Sequence, residues 1–376
     1  MAMDRREFMR QGSLAALSMY LSGCASSQII KLGNETMLEI PDLSDANITG
    51  VTVGIRPYRK KAVRLERTEQ GGKILVHNYG HGGAGFTLAW GSAEVAADFA
   101  SDGIQKHYEV AVLGAGVVGL STAKVLQERG YKVTLYAENF TPHTTSDQGG
   151  AQWSPSAVAK GETIEEKRLF LDLLVRSYRR YEKMHGQKYG ISKRPNYVAE
   201  GFGGPLDLVP PGLIPPPVAM PRLPFPGPVH RGRLFFTFLI EPPVYLPALM
   251  HDIQAAGASF VTKTFSNADE IRNLPQRVVI NCTGLGAGKI YTDTQLVPIR
   301  GQLVHLRPKD LPYLLIHEGY IFPRRDAVIL GGSFEEGSTD TTPDPMTTKR
   351  ILDLSRKYFG LSSASEMPSA ASGRCT

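Results

Sequence analysis

Apolar residues recur at two spacings along this chain, and the spacing predicts which segments form strands and which form helices. An apolar run over 110–113 leads into a glycine-rich turn, and a helix is predicted after it over 117–129. A second strand is predicted over 132–136. Apolar residues recur at helical positions over 87–100, and a longer helix is predicted over 169–185.

Segments with β-type patterns make up much of the remaining chain. The further predicted strands are 49–55, 62–66, 73–77, 234–240, 259–264, 277–281, 299–306, 319–323 and 327–333, and the further helices are 245–256 and 347–359. A βαβ unit followed by β-rich chain predicts a mixed α/β (α+β) fold. We expect a Rossmann-like nucleotide-binding domain and a β-rich second domain with a large antiparallel sheet, rather than one doubly wound sheet.

The segment 201–232 departs from both patterns because it contains ten prolines. A packed helix cannot accommodate that number of prolines, since each one removes a backbone donor and clashes with the preceding turn. A long surface loop or extended segment is therefore predicted, and a lid or a partner-binding surface are its candidate functions.

Composition and charge exclude several classes of protein. The chain of 376 residues is 42% hydrophobic and 21% charged, as in soluble globular proteins. Its net charge of +6 includes no long basic run, which argues against nucleic-acid binding. The three cysteines, Cys24, Cys282 and Cys375, predict no disulfide framework, and no His/Cys cluster with metal-ligand spacing was found.

The N-terminal residues have the features of a targeting segment. Arg5 and Arg6 form a twin-arginine pattern, and an apolar stretch over 14–21 follows that is too short to span a bilayer. The stretch ends in the sequence Leu-Ser-Gly-Cys at 21–24, which resembles a bacterial lipobox. We therefore expect twin-arginine export to the periplasm or cell envelope and a lipid anchor on Cys24 that holds the protein at a membrane.

The turn after the first apolar run is a dinucleotide fingerprint of the type GxGxxG. In such a turn the glycines let the backbone approach a pyrophosphate, which lies at the N-terminus of the following helix. Glu138, just beyond the second predicted strand, is placed to bind ribose hydroxyls. These residues alone do not distinguish NAD, FAD and FMN as the cofactor. The predicted contacts from the turn are Gly114, Ala115, Gly116, Val117, Val118 and Gly119.

The segment 136–155, YAENFTPHTTSDQGGAQWSP, favours a flavin because it resembles the D-amino-acid oxidase family. The resemblance implies non-covalent FAD. The implied pyrophosphate-binding residues are Thr144, Thr145 and Ser146, and the implied residues facing the flavin ring are Gly150, Ala151 and Gln152. Hydroxyls and backbone N–H groups suit anionic oxygens, and small residues allow close approach to a flat ring.

A second glycine-rich segment, GHGGAGFTLAWG at 80–91, resembles the flavin-contacting loop of the same family. The family normally carries this loop near its C-terminus, whereas here it precedes the fingerprint. The chain therefore resembles a circularly permuted member, and the residues before Thr49 should lie close to Gly360. The FAD contacts implied by this loop and by the INCTG segment at 280–284 are Gly82, Gly83, Gly85, Phe86, Thr87 and Thr283.

The resemblance also implies how a substrate is bound. Arg56, in VGIRP, matches the arginine that clamps the substrate carboxylate, which suits the planar donor pair of a guanidinium. Tyr320, in GYIFP, matches a tyrosine that assists, and the Gly83 carbonyl is expected to orient the amine. The chain departs from the family at Ala84, where tyrosine is usual, and a second active-site tyrosine before Tyr320 is missing. No side-chain base is predicted, and His81 is interpreted as a loop-fixing residue.

The implied activity is FAD-dependent oxidation of D-amino acids, with hydride transfer from Cα to the flavin N5. The imine would hydrolyse to a 2-oxo acid and ammonia, and oxygen would be reduced to peroxide. A D-aspartate or D-glutamate oxidase is an alternative that an extra cation from Arg324 or Arg325 would mark. A respiratory-chain amine dehydrogenase, which would use a membrane electron carrier, and a non-catalytic flavin-binding surface lipoprotein are the others.

This interpretation divides the chain into seven regions. They are a signal over 1–24, a tether over 25–48, a permuted segment over 49–105 that serves the substrate site and flavin loop, the FAD-binding Rossmann core with its first helices over 106–200, the proline-rich loop over 201–232, a substrate domain with returning FAD-domain strands over 233–361, and a disordered tail over 362–376.

Overall fold

The computed structural model describes residues 30–32, 35–102, 108–203 and 209–361. The predicted export signal, the lipidation site Cys24 and the C-terminal tail lie outside the described residues. Within them, no helix has the length and apolar character needed to cross a bilayer.

Short strands and seven helices alternate along the described chain, as expected for a mixed α/β protein. The strands are β1 Ile30–Leu32, β2 Glu35–Met37, β3 Ile48–Arg59, β4 Arg64–Gln70, β5 Lys73–Tyr79, β6 Glu109–Leu113, β7 Lys132–Ala137, β8 Ile191–Ala199, β9 Val218–Met220, β10 Gly232–Ile240, β11 Ser259–Thr262, β12 Val278–Asn281, β13 Leu296–Leu306, β14 Leu314–Ile316, β15 Tyr320–Pro323, β16 Val328–Gly331 and β17 Glu335–Glu336. The helices are α1 Gly85–Ser101, α2 Val117–Glu128, α3 Ile164–Met184, α4 Pro242–Ala255, α5 Ala268–Arg272, α6 Gly286–Tyr291 and α7 Pro345–Tyr358.

One sheet has the order β11-β7-β6-β12-β5-β4, and its first five strands are parallel. Only β4 is antiparallel, as the hairpin partner of β5. The central strand β6 is buried from Val110 to Leu113, which explains why its sequence is a continuous apolar run rather than an alternating one. Because all five parallel strands end at the same edge, the loops that follow them meet there.

Helix α1 packs between the parallel sheet and helices α2 and α3. Its buried face includes Trp90, and Gly91 allows a close approach, since a Cβ at this position would overlap the backbone of Leu173 in α3. Helix α3 begins with a capping box in which Thr163 accepts from the N–H of Glu166, and the Glu166 side chain accepts from the Thr163 N–H.

The second sheet has nine strands in the order β17-β13-β16-β15-β14-β8-β10-β9, and β3 pairs with β13 as a branch. Its pairings are antiparallel except for β8 with β14, which is parallel. The predicted β-rich half is therefore present. The long strands β3 and β13 lie antiparallel over their full length, which brings residues 48–59 onto chain that is more than 200 residues later.

The proline-rich segment contains a strand that the sequence pattern does not predict. Residues Val218–Met220 form β9, which pairs with β10 at the end of the large sheet. The rest of its described part is extended chain, turns and bends, and the segment contacts the end of α7 through a hydrogen bond from His230 to the Tyr358 carbonyl.

Chain near residue 45 lies against the end of the last helix. The Arg356 guanidinium donates to the Leu43 carbonyl at 2.7 and 3.0 Å and pairs with Asp45 at 2.9 Å. Leu43 is fully buried in one apolar cluster with Ile351 and Phe359. The two chain positions that the permuted arrangement requires to be adjacent are therefore in contact.

Candidate cofactor and substrate site

A cavity of about 650 Å³ lies between the two sheets. Its walls include the chain that follows β5, β6, β7, β11 and β12, all at the edge where the parallel strands end. The opposite wall comes from the large sheet, through residues of β3, β13 and β15. The volume is in the range of sites for small molecules and cofactors.

Five residues of the fingerprint turn that were predicted to contact the cofactor line this cavity: Gly114, Ala115, Gly116, Val117 and Val118. Gly114 has a φ of +100°, and a Cβ there would overlap the Cys282 carbonyl, so the turn requires glycine. Its N–H donates to the Tyr136 carbonyl at 2.7 Å, which joins the ends of β6 and β7. The first turn of helix α2 therefore meets the cavity.

Gly119 does not line the cavity, and its contact with the cofactor stays a prediction. A Cβ at Gly119 would overlap the carbonyl oxygen of Gly114. The residue is needed for the close packing of the helix on the turn, which is a separate requirement of the same motif.

The predicted phosphate-binding residues Thr144, Thr145 and Ser146 all line the cavity. Thr144 is the cap of a short 3₁₀-helix, Thr145–Gln148, and both its hydroxyl and its N–H donate to Asp147 at 2.7 and 2.8 Å. Its hydroxyl hydrogen is therefore already used. Ser146 accepts from the Val117 N–H at 3.0 Å and keeps its own hydrogen for an anionic oxygen.

The loop Gly150–Ala151–Gln152 also lines the cavity. A Cβ at Gly150 would lie 3.3 Å from the Tyr320 ring, so small residues are needed here. Arg324 fixes the start of the loop by donating to the Gly149 carbonyl at 2.9 Å, and the Ala151 carbonyl accepts from Ile240 at 2.9 Å. The Gln152 amide nitrogen is buried without a partner in the described chain.

The glycine loop after β5 contributes Gly82, Gly83, Gly85 and Phe86 to the wall. The Gly83 N–H donates to the Ala157 carbonyl at 2.9 Å, and a Cβ at Gly82 would overlap that carbonyl. The glycine loop is thus held against the chain at 155–160, which follows the flavin-facing loop.

His81 and Thr87 both make hydrogen bonds that hold the glycine loop in place, but only His81 lines the cavity. His81 lines the cavity, but its ring is buried, and its Nε2 lies 3.1 Å from the Ser92 hydroxyl of α1. Burial lowers the pKa of His81 to about 3, so the ring is neutral at pH 7. Thr87 does not line the cavity, and its hydroxyl donates to the Ser154 carbonyl at 2.7 Å; its contact with the cofactor stays a prediction.

Arg56 projects from β3 over Gly301 of β13. A Cβ at Gly301 would overlap the guanidinium, so this glycine provides the space that the arginine occupies. Nη1 donates to the carbonyls of Ser333 and Arg300 at 3.3 and 3.4 Å. These contacts fix the plane of the guanidinium at the cavity wall and leave other N–H groups for a ligand.

Tyr320 lies on the same wall, at the start of β15. Its ring stacks on Phe322 with centroids 4.3 Å apart, and a Cβ at Gly331 would overlap the ring. Burial raises the pKa of Tyr320, and the charges of Arg56 and Arg324 oppose that rise. The hydroxyl therefore remains protonated, as a donor, through the physiological pH range.

Thr283 and Glu138, both predicted to bind the cofactor, line the cavity just beyond the ends of two parallel strands that flank β6. Thr283 follows β12 and donates to the Asn281 side chain at 2.7 Å. Glu138 follows β7, is exposed, and makes no hydrogen bond or ion pair with another described residue, so its carboxylate is available to hydroxyl groups.

Neither Arg324 nor Arg325 lines the cavity, although both were candidates for a second cation beside the substrate. Arg324 pairs with Asp326 at 2.6 Å, and Arg325 pairs with Glu241 at 3.2 Å. Lys263, which follows β11, is a cavity residue that the sequence interpretation missed. The signal for it was its position directly after a parallel strand.

Other cavity residues missed from the sequence include Asn139, His143, Gln148, Ser156, Phe265, Ile316 and Phe334. Asn139 and Phe265 also follow parallel strands, so strand ends would have indicated them. Phe334 and Ile316 come from the large sheet, whose position relative to the cavity has no sequence signal. Among the described residues, no group of three or more His, Cys, Asp or Glu side chains is placed to hold a metal ion.

The arrangement fits FAD from one end to the other. Glu138 and Lys263 lie at strand ends suited to the ribose and adenine, and the α2 N-terminus with Ser146 suits the pyrophosphate. At the other end, the glycines at 82–83 and 150 let the surrounding loops pack closely where the cavity is lined by Arg56 and Tyr320, which is the end suited to the flavin ring.

Comparison with known proteins agrees with this fit. A profile of the DAO family, described as FAD dependent oxidoreductase, matches residues 109–374. The D-amino acid oxidase of Dugesia ryukyuensis is 30% identical over 259 residues, which cover 65% of this chain and 75% of that protein. The D-aspartate oxidase of Homo sapiens is 28% identical over 259 residues, which cover 65% of this chain and 73% of that protein.

A solved structure has a similar fold. The glycine oxidase of Bacillus cereus ATCC 14579 matches with a TM-score of 0.51 at 17% identity, over 67% of this chain and 77% of that chain. At this identity the likeness is one of fold.

Proposed function

Because this chain belongs to the DAO family of FAD-dependent oxidoreductases, we propose that it oxidises D-amino acids to imines. Each imine then hydrolyses to a 2-oxo acid and ammonia. FAD, when bound, supplies the acceptor for the hydride of the substrate Cα. Dioxygen is the proposed final acceptor of the two electrons and is reduced to hydrogen peroxide.

One observation carries this proposal. Arg56 and Tyr320, on the large sheet, line the same cavity as the phosphate-binding turn and the glycine loop of the parallel sheet. A carboxylate-binding pair therefore lies within one enclosure with a site suited to a flavin dinucleotide.

Arg56 binds the substrate carboxylate in this proposal. Two backbone carbonyls hold its Nη1, so little side-chain entropy is lost when a carboxylate binds the remaining donors. Tyr320 donates its hydroxyl to the same carboxylate, and its raised pKa keeps that donor protonated. The Gly83 carbonyl, in the glycine loop beside Arg56, receives the substrate amine.

No side chain of this chain is assigned as a general base. His81 is the histidine in the glycine loop, but its ring is buried against Ser92 and its pKa is lowered to about 3. A group with that pKa holds no proton at neutral pH and takes one up poorly. The substrate therefore binds with its amine neutral, after losing a proton to solvent.

We also propose that the chain is a circularly permuted family member. The family profile begins at residue 109, after the glycine loop. The contact of Arg356 with Leu43 supports the proposal, because it joins the end of α7 to the chain entering β3.

Export by the twin-arginine route and lipidation at Cys24 are proposed from the N-terminal sequence. Mass spectrometry of the membrane-bound protein should find a lipid on an N-terminal cysteine. Cys24→Ala should release the protein from the membrane fraction, and an unmodified, soluble wild-type protein would contradict the proposal.

The proposed activity is tested by steady-state turnover with matched D- and L-amino acids in air. We expect one 2-oxo acid, one ammonia and one peroxide for each D-amino acid consumed, and no reaction with the L-enantiomers. Turnover with quinone analogues and little peroxide would instead identify a dehydrogenase. An FAD-loaded protein that turns over none of them would contradict the proposal.

A further inference from the structure

A groove of about 300 Å³ adjoins the main cavity. It is lined by Tyr58, Pro155, Ala157, Val158, Lys160, Ile299, Phe334 and Glu336. Ala157 and Phe334 belong to the walls of both the groove and the main cavity. The groove is therefore a direct extension of the space in which the substrate carboxylate is proposed to bind.

The register of the large sheet relates the groove to Arg56, which lines only the main cavity. Arg56 of β3 is paired with Ile299 of β13, and Ile299 is paired with Glu336 of β17. Directly paired residues project from the same face of a sheet, and so do residues two positions apart. Tyr58 therefore projects from the face that carries Arg56, and this face is the floor of the groove. Phe334 lies in the chain just before β17, outside any strand, and it also lines the groove.

The other wall is the chain at 155–160, which continues from the flavin-facing loop. Pro155 and Val158 are buried there, and Ile299 is only 1% exposed on the floor. Lys160 and Glu336 are the charged lining residues, and neither forms an ion pair with a described residue. The groove thus has apolar and aromatic walls with two charged residues among them.

Phe334 is placed where a bound apolar group would cover it. Its side chain is 58% exposed, although the residues on either side are fixed. The Ser333 carbonyl accepts from Arg56 at 3.3 Å, and Glu335 pairs with Arg300 at 2.7 Å. Single exposed apolar residues are common on protein surfaces. This one is distinguished because its backbone is held next to the carboxylate-binding guanidinium and its side chain forms a wall of both cavities.

We propose that this groove is the subsite for a large aromatic side chain of the substrate, with Phe334 as its specificity-determining wall. The inference rests on the proposed function, since it takes Arg56 as the carboxylate-binding residue. It extends that function by naming the substrate class: carboxylates that carry a bicyclic or similarly large aromatic group. Ring contacts with Tyr58 and Phe334 favour such a group over a small aliphatic one.

Binding of carboxylates that lack an amine tests the groove without relying on turnover. The FAD-loaded protein is titrated with acetate and with indole-3-acetate, and the change in flavin absorbance gives both dissociation constants. In the wild-type protein we expect indole-3-acetate to bind about tenfold or more tightly than acetate. Phe334→Ala should reduce this ratio about tenfold, and Phe334→Leu should reduce it less.

Phe202→Ala is the matched control, because Phe202 is 42% exposed and lines neither cavity. It should leave the ratio unchanged. Equal affinities in the wild-type protein, or an unaltered ratio in Phe334→Ala, would overturn the groove proposal and leave the proposed function intact. If neither carboxylate binds, both the groove and the role of Arg56 are wrong. If the ratio falls as expected but no D-amino acid is oxidised, the groove stands and the proposed activity fails.

Discussion

At the residue scale, the site depends on positions without side chains as much as on its charged groups. Arg56 can extend along the cavity wall only because Gly301 leaves that space open. Tyr320 in the same way occupies the space above Gly331. The sequence indicated both functional side chains through the family motifs, but the glycines that accommodate them are known only once β3 is paired with β13 and β15 with β16.

Gly301→Ala should therefore weaken carboxylate binding without removing any donor. The new methyl group would overlap the guanidinium of Arg56 and displace it from its two carbonyl partners. We expect acetate affinity to fall about tenfold, as for a misplaced charged contact. Gly50→Ala is the control, since a Cβ at Gly50 meets nothing within 4 Å. Equal acetate affinities in the two variants would show that Gly301 does not position Arg56.

At the element scale, the parallel half of the fold was predicted well and the large sheet less well. Strands β6 and β7 and helices α1 and α2 each have a clear strand or helix pattern of apolar residues. Their predicted bounds differ from the observed ones by two residues or fewer. Strand β8 was missed because its sequence, ISKRPNYVA, mixes charges and a proline with apolar residues. Only pairing with β10 and β14 makes it a strand, and that pairing is tertiary information.

The contact between Arg324 and the Gly149 carbonyl links strand β15 to the flavin-facing loop. Arg324→Gln should loosen that loop and raise the FAD dissociation constant about tenfold, as for loss of a hydrogen bond from a charged donor. Fluorescence titration of the apoprotein with FAD measures the change. Arg350→Gln, which alters an exposed arginine of α7, should have no effect. An unchanged FAD affinity in Arg324→Gln would show that this contact does not contribute to FAD binding.

At the scale of the whole molecule, three buried histidines make stability depend on pH. Burial lowers the pKa of His77 to about 4, of His81 to about 3 and of His317 to about 4. An unfolded histidine has a pKa near 6.5, so below that pH the unfolded chain binds more protons than the folded one. The folded state therefore loses stability as pH falls from about 6.5 towards about 4.

Each such histidine should contribute a loss of about 1.4 kcal/mol per pH unit in that range. Urea unfolding at pH 7.5, 6.5 and 5.5 should show a small fall in the free energy of unfolding over the first step and a larger fall over the second. His81→Gln should make the fall smaller, because it removes one titrating group. A free energy of unfolding that is constant or rises between pH 6.5 and 5.5 would contradict the placement of these rings.

The central claim is that Arg56 and the dinucleotide-binding turn serve one cavity, which holds FAD and a D-amino acid together. The most direct measurement is anaerobic mixing of the FAD-loaded protein with D-alanine, D-aspartate, D-lysine and D-tryptophan, followed by flavin absorbance. We expect at least one of these D-amino acids to bleach the flavin of the wild-type protein. Arg56→Ala should weaken the binding of that substrate by about 2 to 5 kcal/mol while FAD stays bound. A flavin that no D-amino acid bleaches, or an Arg56→Ala variant with unchanged apparent affinity, would contradict the claim.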